Sequence, residues 1–130
     1  MLAVAMLTAL SVSVAPAGAA SGSGGISTGD GDSAERAAKR AAKYDRLWDE
    51  VSKRDRRWAR KTAECESGKD PKAIGGGGKY RGAFQFLKST WRRSPKSPGG
   101  DPIDSPYRTQ AVVAVALKKR DGTHHWPVCG

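Results

Sequence analysis

Cysteine is nearly absent from this chain: Cys65 and Cys129 are the only two in 130 residues. No all-cysteine metal set can form, and once these two pair no thiol is spare. Charge is missing from the first 20 residues, which hold no Asp, Glu, Lys or Arg. Beyond that stretch there is no long apolar run and no internal repeat, so no second segment approaches the ~20 apolar residues of a membrane span. Acid is scarce, with 13 Asp and Glu against 23 Lys and Arg and a formal charge of +10. The glycine run at 75–78 is not followed by the Lys-Ser/Thr of a phosphate loop. His124 and His125 are adjacent, and neighbouring side chains on a regular element diverge, so no metal site and no cofactor are expected.

What the first residues do contain is an apolar run from Leu2 to Val14, followed by the small residues Ala17-Gly18-Ala19. That pattern predicts a secretory signal peptide over 1–19, cut before Ala20, although no Lys or Arg marks its n-region. After cleavage no stable membrane insertion is expected, and the product is secreted or wall-associated. Export gives the two cysteines an oxidising compartment, where two cysteines in a small domain pair. A Cys65–Cys129 bond would close a loop of about 65 residues and contribute roughly 4 kcal/mol in the chain-entropy model. The basic excess is spread along the chain, with 11 basic and 5 acidic side chains in 34–62 and 12 and 6 in 63–130. A basic protein seeks polyanions. Export favours anionic wall polymers over nucleic acid as that partner.

The segment 20–33 is rich in Gly, Ser, Asp and Thr and reads as a flexible linker. Ser33 is a suitable N-cap, and from it a stripe runs through Ala37, Ala41, Tyr44, Trp48, Val51, Asp55, Trp58, Thr62 and Cys65 at spacings of four and three. This predicts a long basic amphipathic helix over 34–57 leading into a domain over 58–130. Whether the helix is continuous or breaks near Ser52 stays open, as does the choice between a polymer-binding face and an ordinary solvated one. Asp55 is the one polar interruption of the stripe. Gly68 supplies a C-terminal stop. Further on, 75–78 reads as loop, Tyr80 to Phe86 as extended or turn-like, and Leu87 to Arg93 as helix. Ser105 and Pro106 then open a last helix running to Arg120.

Among the carboxylates of 63–130, Glu66 has the strongest physical case for acid catalysis. It falls in the last turn of a helix, where the negative end of the dipole disfavours ionisation. It also adjoins Cys65, expected to be tethered and buried, so its backbone would be fixed. Glu64, two residues away, points to another face.

Five segments follow in order: Cys65-Glu66-Ser67-Gly68, Tyr80-Arg81-Gly82-Ala83-Phe84-Gln85-Phe86, Ser89-Thr90-Trp91, Gly99-Gly100-Asp101-Pro102 and Trp126-Pro127-Val128-Cys129-Gly130. This set resembles the transglycosylase-like catalytic domain of the resuscitation-promoting factors, secreted cell-wall proteins of actinobacteria. The resemblance covers about residues 58 to 130. It implies an α+β, miniature lysozyme-like domain, mostly helical, that cleaves the β-1,4 bond between N-acetylmuramic acid and N-acetylglucosamine in peptidoglycan strands. It places the catalytic acid on Glu66, the disulfide on Cys65 and Cys129, and glycan contacts on Gln85, Thr90 and Gln110. Trp91 and Trp126 are expected as packing. The chain departs from the pattern after its first motif, where Lys69-Asp70-Pro71 stands in place of the common Gly-Asn-Trp. A two-carboxylate mechanism would need a second acid, for which Asp101 and Asp104 are the available residues. A non-catalytic wall-binding or signalling protein using the same groove is the rival reading.

Overall fold

The computed structural model describes residues 28–130. The expected signal peptide and residues 20–27 of the expected linker lie outside the described residues. Four helices follow: α1 (Thr28–Asp49), α2 (Lys53–Ser67), α3 (Lys88–Arg93) and α4 (Tyr107–Asp121). Between α2 and α3 lie three two-residue strands, β1 (Ile74–Gly75), β2 (Tyr80–Arg81) and β3 (Phe86–Leu87), in one antiparallel sheet of order β1-β2-β3. Ile74 pairs with Arg81 and Gly75 with Tyr80, while Tyr80 pairs with Leu87 and Arg81 with Phe86. The architecture is the mixed α+β, mostly helical, lysozyme-like one expected.

α1 starts five residues before the expected cap, so 28–33 are helix rather than linker. Ser33 does not cap it; its Oγ donates back to the Asp30 carbonyl at 2.9 Å, inside the helix. Asp30 sits in the first turn, where the dipole favours an anion. The pairs Asp32–Arg36 and Glu35–Lys39, at 3.7 and 2.6 Å, support the exposed face behind it.

The basic segment over 34–57, for which one helix or two stayed open, is divided between α1 and α2. Ser52 makes the division: its Oγ accepts the Asp55 N–H at 3.1 Å and donates to Asp55 Oδ2 at 2.9 Å, capping α2. Arg56 Nε donates to the Val51 carbonyl at 2.9 Å and closes the junction. The domain expected from residue 58 shares its core with α1, since Tyr44 and Trp48 are buried together with Ala59, Ala63, Phe84, Phe86, Trp91 and Trp126. The Tyr44 hydroxyl donates to the Lys96 carbonyl, tying α1 to the loop after α3. α4 is the central element, with Ala111 to Val115 and Leu117 all buried.

Asp55, the polar break in the stripe, is only 4% exposed. Lys118 Nζ of α4 donates to its Oδ1 at 2.9 Å, and Lys119 Nζ lies 3.7 Å from Oδ2. The Lys118 ammonium holds the Asp55 carboxyl below its ordinary range against the opposing effect of burial. Lys118 also lies 4.7 Å from the centre of the Trp58 ring. Asp55→Asn is expected to lower stability by about 2–3 kcal/mol at neutral pH, less than for a wholly buried pair because Lys118 keeps some water. The folded carboxyl has the lower pKa, so this contribution is complete above the unfolded value of about 4 and is lost as pH falls through the folded one. Urea melts of the two proteins should therefore diverge at pH 7 and converge in acid.

Candidate active site

Glu66 lies one residue from the C-terminus of α2, which ends where Gly68 turns left-handed (φ 65) and its N–H donates to the Glu64 carbonyl at 2.9 Å. Ser67 fixes this helix end. Its Oγ donates to the Ala83 carbonyl at 2.8 Å and accepts the Asp70 N–H at 3.1 Å, so α2 is fastened to the segment between β2 and β3. Glu66 itself is half-buried, and burial raises its carboxyl above the ordinary value. The shift has the direction expected for a helix-end acid, and desolvation is its cause here. Cys65, expected to be buried, is exposed. Glu64 faces elsewhere, as expected: it is exposed and pairs with Lys69 at 3.3 Å.

Glu66 opens onto a cavity of about 300 Å³ whose wall includes Tyr80, Gln85, His125, Trp126, Pro127 and Val128. A second cavity of about 180 Å³ shares Tyr80, Gln85, His125 and Trp126 with it and extends to Phe86, Leu87 and Thr90. The two cavities adjoin across these shared walls and together form one groove, Glu66 lining the first and Thr90 the second. Among the described residues Glu66 is the only carboxylate lining it.

Gln85 and Thr90 thus both line the groove, Gln85 immediately before β3 in the chain and Thr90 within α3. Gln85 is held in a left-handed conformation (φ 50), and its Nε2 donates to the Gly82 carbonyl at 2.9 Å. A Cβ on Gly75 would come within 2.2 Å of Gln85 Oε1, so a side chain there would push the amide out of place. Glycine in β1 is therefore what lets Gln85 form the wall.

Gln110 is a correction. Expected to touch glycan, it is fully buried, and its amide is spent on backbone. Nε2 lies 2.9, 2.9 and 2.8 Å from the carbonyls of Pro71, Pro102 and Ser105, and Oε1 accepts the Ala83 N–H at 2.7 Å. A polar residue on an otherwise apolar helix can serve a groove or knit three loops together; sequence does not separate the two. Here it gathers the loops that carry the site. Gly82 belongs to the same knot, with φ 83 and room for no Cβ beside Gln110 Oε1.

The disulfide joins Cys65 to Cys129 with Cα atoms 5.7 Å apart. It sets the C-terminal strip beside Glu66, reinforced by Thr62 Oγ1 donating to the Cys129 carbonyl at 3.2 Å. Trp91 and Trp126 pack in the core as expected, with Trp126 Nε1 donating to the Phe84 carbonyl at 2.9 Å. Asp101 does not line the groove. Arg81 grips it at 2.7 Å and Lys88 at 3.1 Å, and the Arg81 guanidinium foremost brings its carboxyl down to about 2. Asp104 lies along a depression against α1, away from the groove.

Sequence reasoning passed over Tyr80, His125 and Val128 as groove residues. Tyr80 and Val128 stand inside the quoted motifs, but a two-residue strand and an irregular tail have no periodicity to show which way they face. Val128, 90% exposed beside a catalytic candidate, is anomalous for an apolar side chain. The two histidines stand closer together than adjacent residues on a regular element would. They lie in the turn after α4 rather than on a regular element, and one donor atom from each of Asp121, His124 and His125 falls within 4.8 Å of the others.

A family model described as Transglycosylase-like domain matches residues 42–129. Resuscitation-promoting factor RpfC of Mycobacterium tuberculosis (strain Erdman) is 37% identical over 68 residues, covering 52% of this chain and 46% of that protein. The chain spans about half the length of this curated relative. No solved structure gives a match.

Proposed function

This chain belongs to the transglycosylase-like domain family, and from that premise we propose that it cleaves the β-1,4 bond between N-acetylmuramic acid and N-acetylglucosamine in peptidoglycan, with Glu66 as general acid. The observation that carries the reading is a carboxyl with a burial-raised pKa, the only carboxylate among the described residues on the groove wall. A raised pKa keeps a larger fraction protonated near neutrality, which is what departure of a glycosidic oxygen requires.

Glu66 gives its proton to the bridging oxygen as the bond to the muramic C1 breaks. A hydrolase with two carboxylates would hold the second at about 5–5.5 Å or 6.5–9.5 Å. With none on the described wall, the muramic 6-hydroxyl is the favoured nucleophile: its oxygen bonds to C1 and its proton returns to Glu66. The product then ends in a 1,6-anhydro ring. Thr90 and Gln85 serve as polar contacts for hydroxyl and N-acetyl groups along the groove, and the exposed Tyr80 ring as an apolar wall. The test is incubation with purified cell wall, followed by mass analysis of the released muropeptides. Anhydro ends, lighter by one water than hydrolysed ends, support this route; hydrolysed ends support a muramidase. Wall binding without release of soluble sugar would make the protein a binder or signal instead.

An extracellular setting belongs to the same proposal. It rests on the apolar run at 2–14 and on the disulfide, a bond of oxidising compartments. No described helix is long and apolar enough to cross a membrane. The domain organisation proposed is a cleaved signal at 1–19, a linker, a basic helical segment and the catalytic domain.

Anionic wall polymers are proposed as partners of α1, whose Arg36, Lys39, Arg40 and Lys43 are all exposed. Removing the helix would strip Tyr44 and Trp48 from the core, so charge is the property to change. A variant with these four residues replaced by Gln should bind whole walls more weakly than the parent at low salt. The gap should close as salt rises, because exposed charges are screened beyond about 10 Å at 0.1 M. Equal binding at every salt concentration would assign α1 to packing alone.

A further inference from the structure

The turn after α4 gathers Asp121, His124 and His125, and we infer that this cluster is a binding site for a zinc-like divalent ion at the edge of the groove. One donor atom from each lies within 4.8 Å of the other two. Ligand atoms around zinc sit about 2.0–2.2 Å from the ion, so small side-chain rotations bring three donors at this spacing onto one centre. A carboxylate with two imidazoles suits zinc-like borderline metals, and the remaining position would be taken by water.

Three details of the local structure favour a ligand here over a chance meeting of side chains. His124 Nδ1 lies 2.8 Å from the Asp121 carbonyl oxygen. A carbonyl only accepts, so Nδ1 carries the hydrogen and the Nε2 lone pair is left for a metal. A ring fixed in this way through its other nitrogen is the usual support of a metal-ligating histidine. Second, His125 Nε2 lies 3.0 Å from Asp121 Oδ2, a contact that an ion can bridge as the proton between them leaves to solvent. Third, Arg120 Nε holds Asp121 Oδ1 at 2.6 Å and so fixes the plane of the carboxylate. Arg120 Nη2 also donates to Oδ2 at 2.9 Å, and that bond would have to yield. The cluster stands at the C-terminal end of α4, where the helix dipole favours a cation. Lys118, Lys119 and Arg120 oppose it, so the site should be weaker than a closed structural zinc site.

Its position gives it a consequence. His125 lines both parts of the groove, whereas His124 lines neither. An ion held by His125, with its water, would narrow the groove and reduce glycan cleavage. This second step rests on the glycosidase reading; the binding step does not.

The experiment uses the full, untagged chain with its disulfide intact, stripped with a chelator and titrated with Zn²⁺ by calorimetry. One-to-one saturable binding is expected, with none for Mg²⁺, which prefers oxygen ligands. His124→Ala and Asp121→Asn should each weaken binding at least about tenfold, the lower bound for losing even an outer support of a metal site. The chain has only two histidines, so their proton NMR signals report the site directly. No saturable binding by the parent, or equal binding by His124→Ala, overturns the site. Wall-sugar release should fall as Zn²⁺ saturates the parent and stay constant for His124→Ala. If Zn²⁺ binds as described but release is unchanged, the coupling to the groove is overturned and the site stands. If the parent releases no sugar at any Zn²⁺ concentration, the glycosidase reading fails, and calorimetry still decides the site.

Discussion

Glu66→Gln is expected to reduce release of soluble wall sugars by about 10²–10⁴-fold, the usual cost of losing a positioned general acid. The amide keeps the shape of the side chain and its place in the groove, so binding to whole walls should change little. Stability should move in the opposite direction. Burial raises the folded pKa of Glu66 above its unfolded value. The folded state therefore holds the proton more tightly, and stability is lost as pH rises from the unfolded pKa towards the folded one. Below about pH 4 no such penalty exists, because the group is protonated in both states. Gln carries no charge to desolvate. The variant should be more stable than the parent at pH 7 and lose that advantage in acid. Activity lost with unchanged wall binding and a raised melting point would identify Glu66 as an acid kept at the expense of stability. Substantial residual cleavage would move the acid elsewhere.

The two ends of this site differ in how legible they were. The position of Glu66 and the disulfide were readable because each depends on few residues: a helix stop at Gly68 places Glu66 in a final turn, and two lone cysteines leave one pairing. The mostly helical character followed from the stripe of Tyr44, Trp48 and Trp58. The division of that stripe at Ser52 was less visible, because Asp55 reads as a flaw until Lys118, 63 residues away, is seen to pair with it. Gln110 failed for the same reason. Its four backbone partners, Pro71, Ala83, Pro102 and Ser105, lie in three loops that no local pattern brings together. The nearness of the histidines was hidden by geometry: adjacent residues diverge on a strand or helix, and these converge because α4 ends at Asp121 and the chain turns.

Reduction of the Cys65–Cys129 bond should lower stability by about 2–5 kcal/mol, the range for small secreted domains, and should lower activity before it unfolds the protein. Those two effects have separate causes. Stability falls because the open chain regains the entropy of a loop that the bond had closed across a sequence separation of 64 residues. Activity falls because Pro127 and Val128, which wall the groove beside Glu66, are held on one side by the core and on the other by the sulfur bridge. Trp126 would stay seated after reduction, since its ring is buried and its Nε1 bonds the Phe84 carbonyl. Beyond it, Thr62 Oγ1 on the Cys129 carbonyl would be the main remaining tie. Cys65 is exposed, so a small thiol can reach the bond without prior unfolding. Mild reductant at 25 °C should therefore reduce wall-sugar release while the tryptophan fluorescence of the core holds, and a thermal scan should show the lowered midpoint. The Cys65→Ser, Cys129→Ser double variant should match the reduced parent in both respects. Mass spectrometry of the parent should find it lighter by two hydrogens than its reduced form. Full activity in the reduced protein would detach the C-terminal strip from the site, and two alkylatable thiols in freshly isolated protein would remove the bond itself.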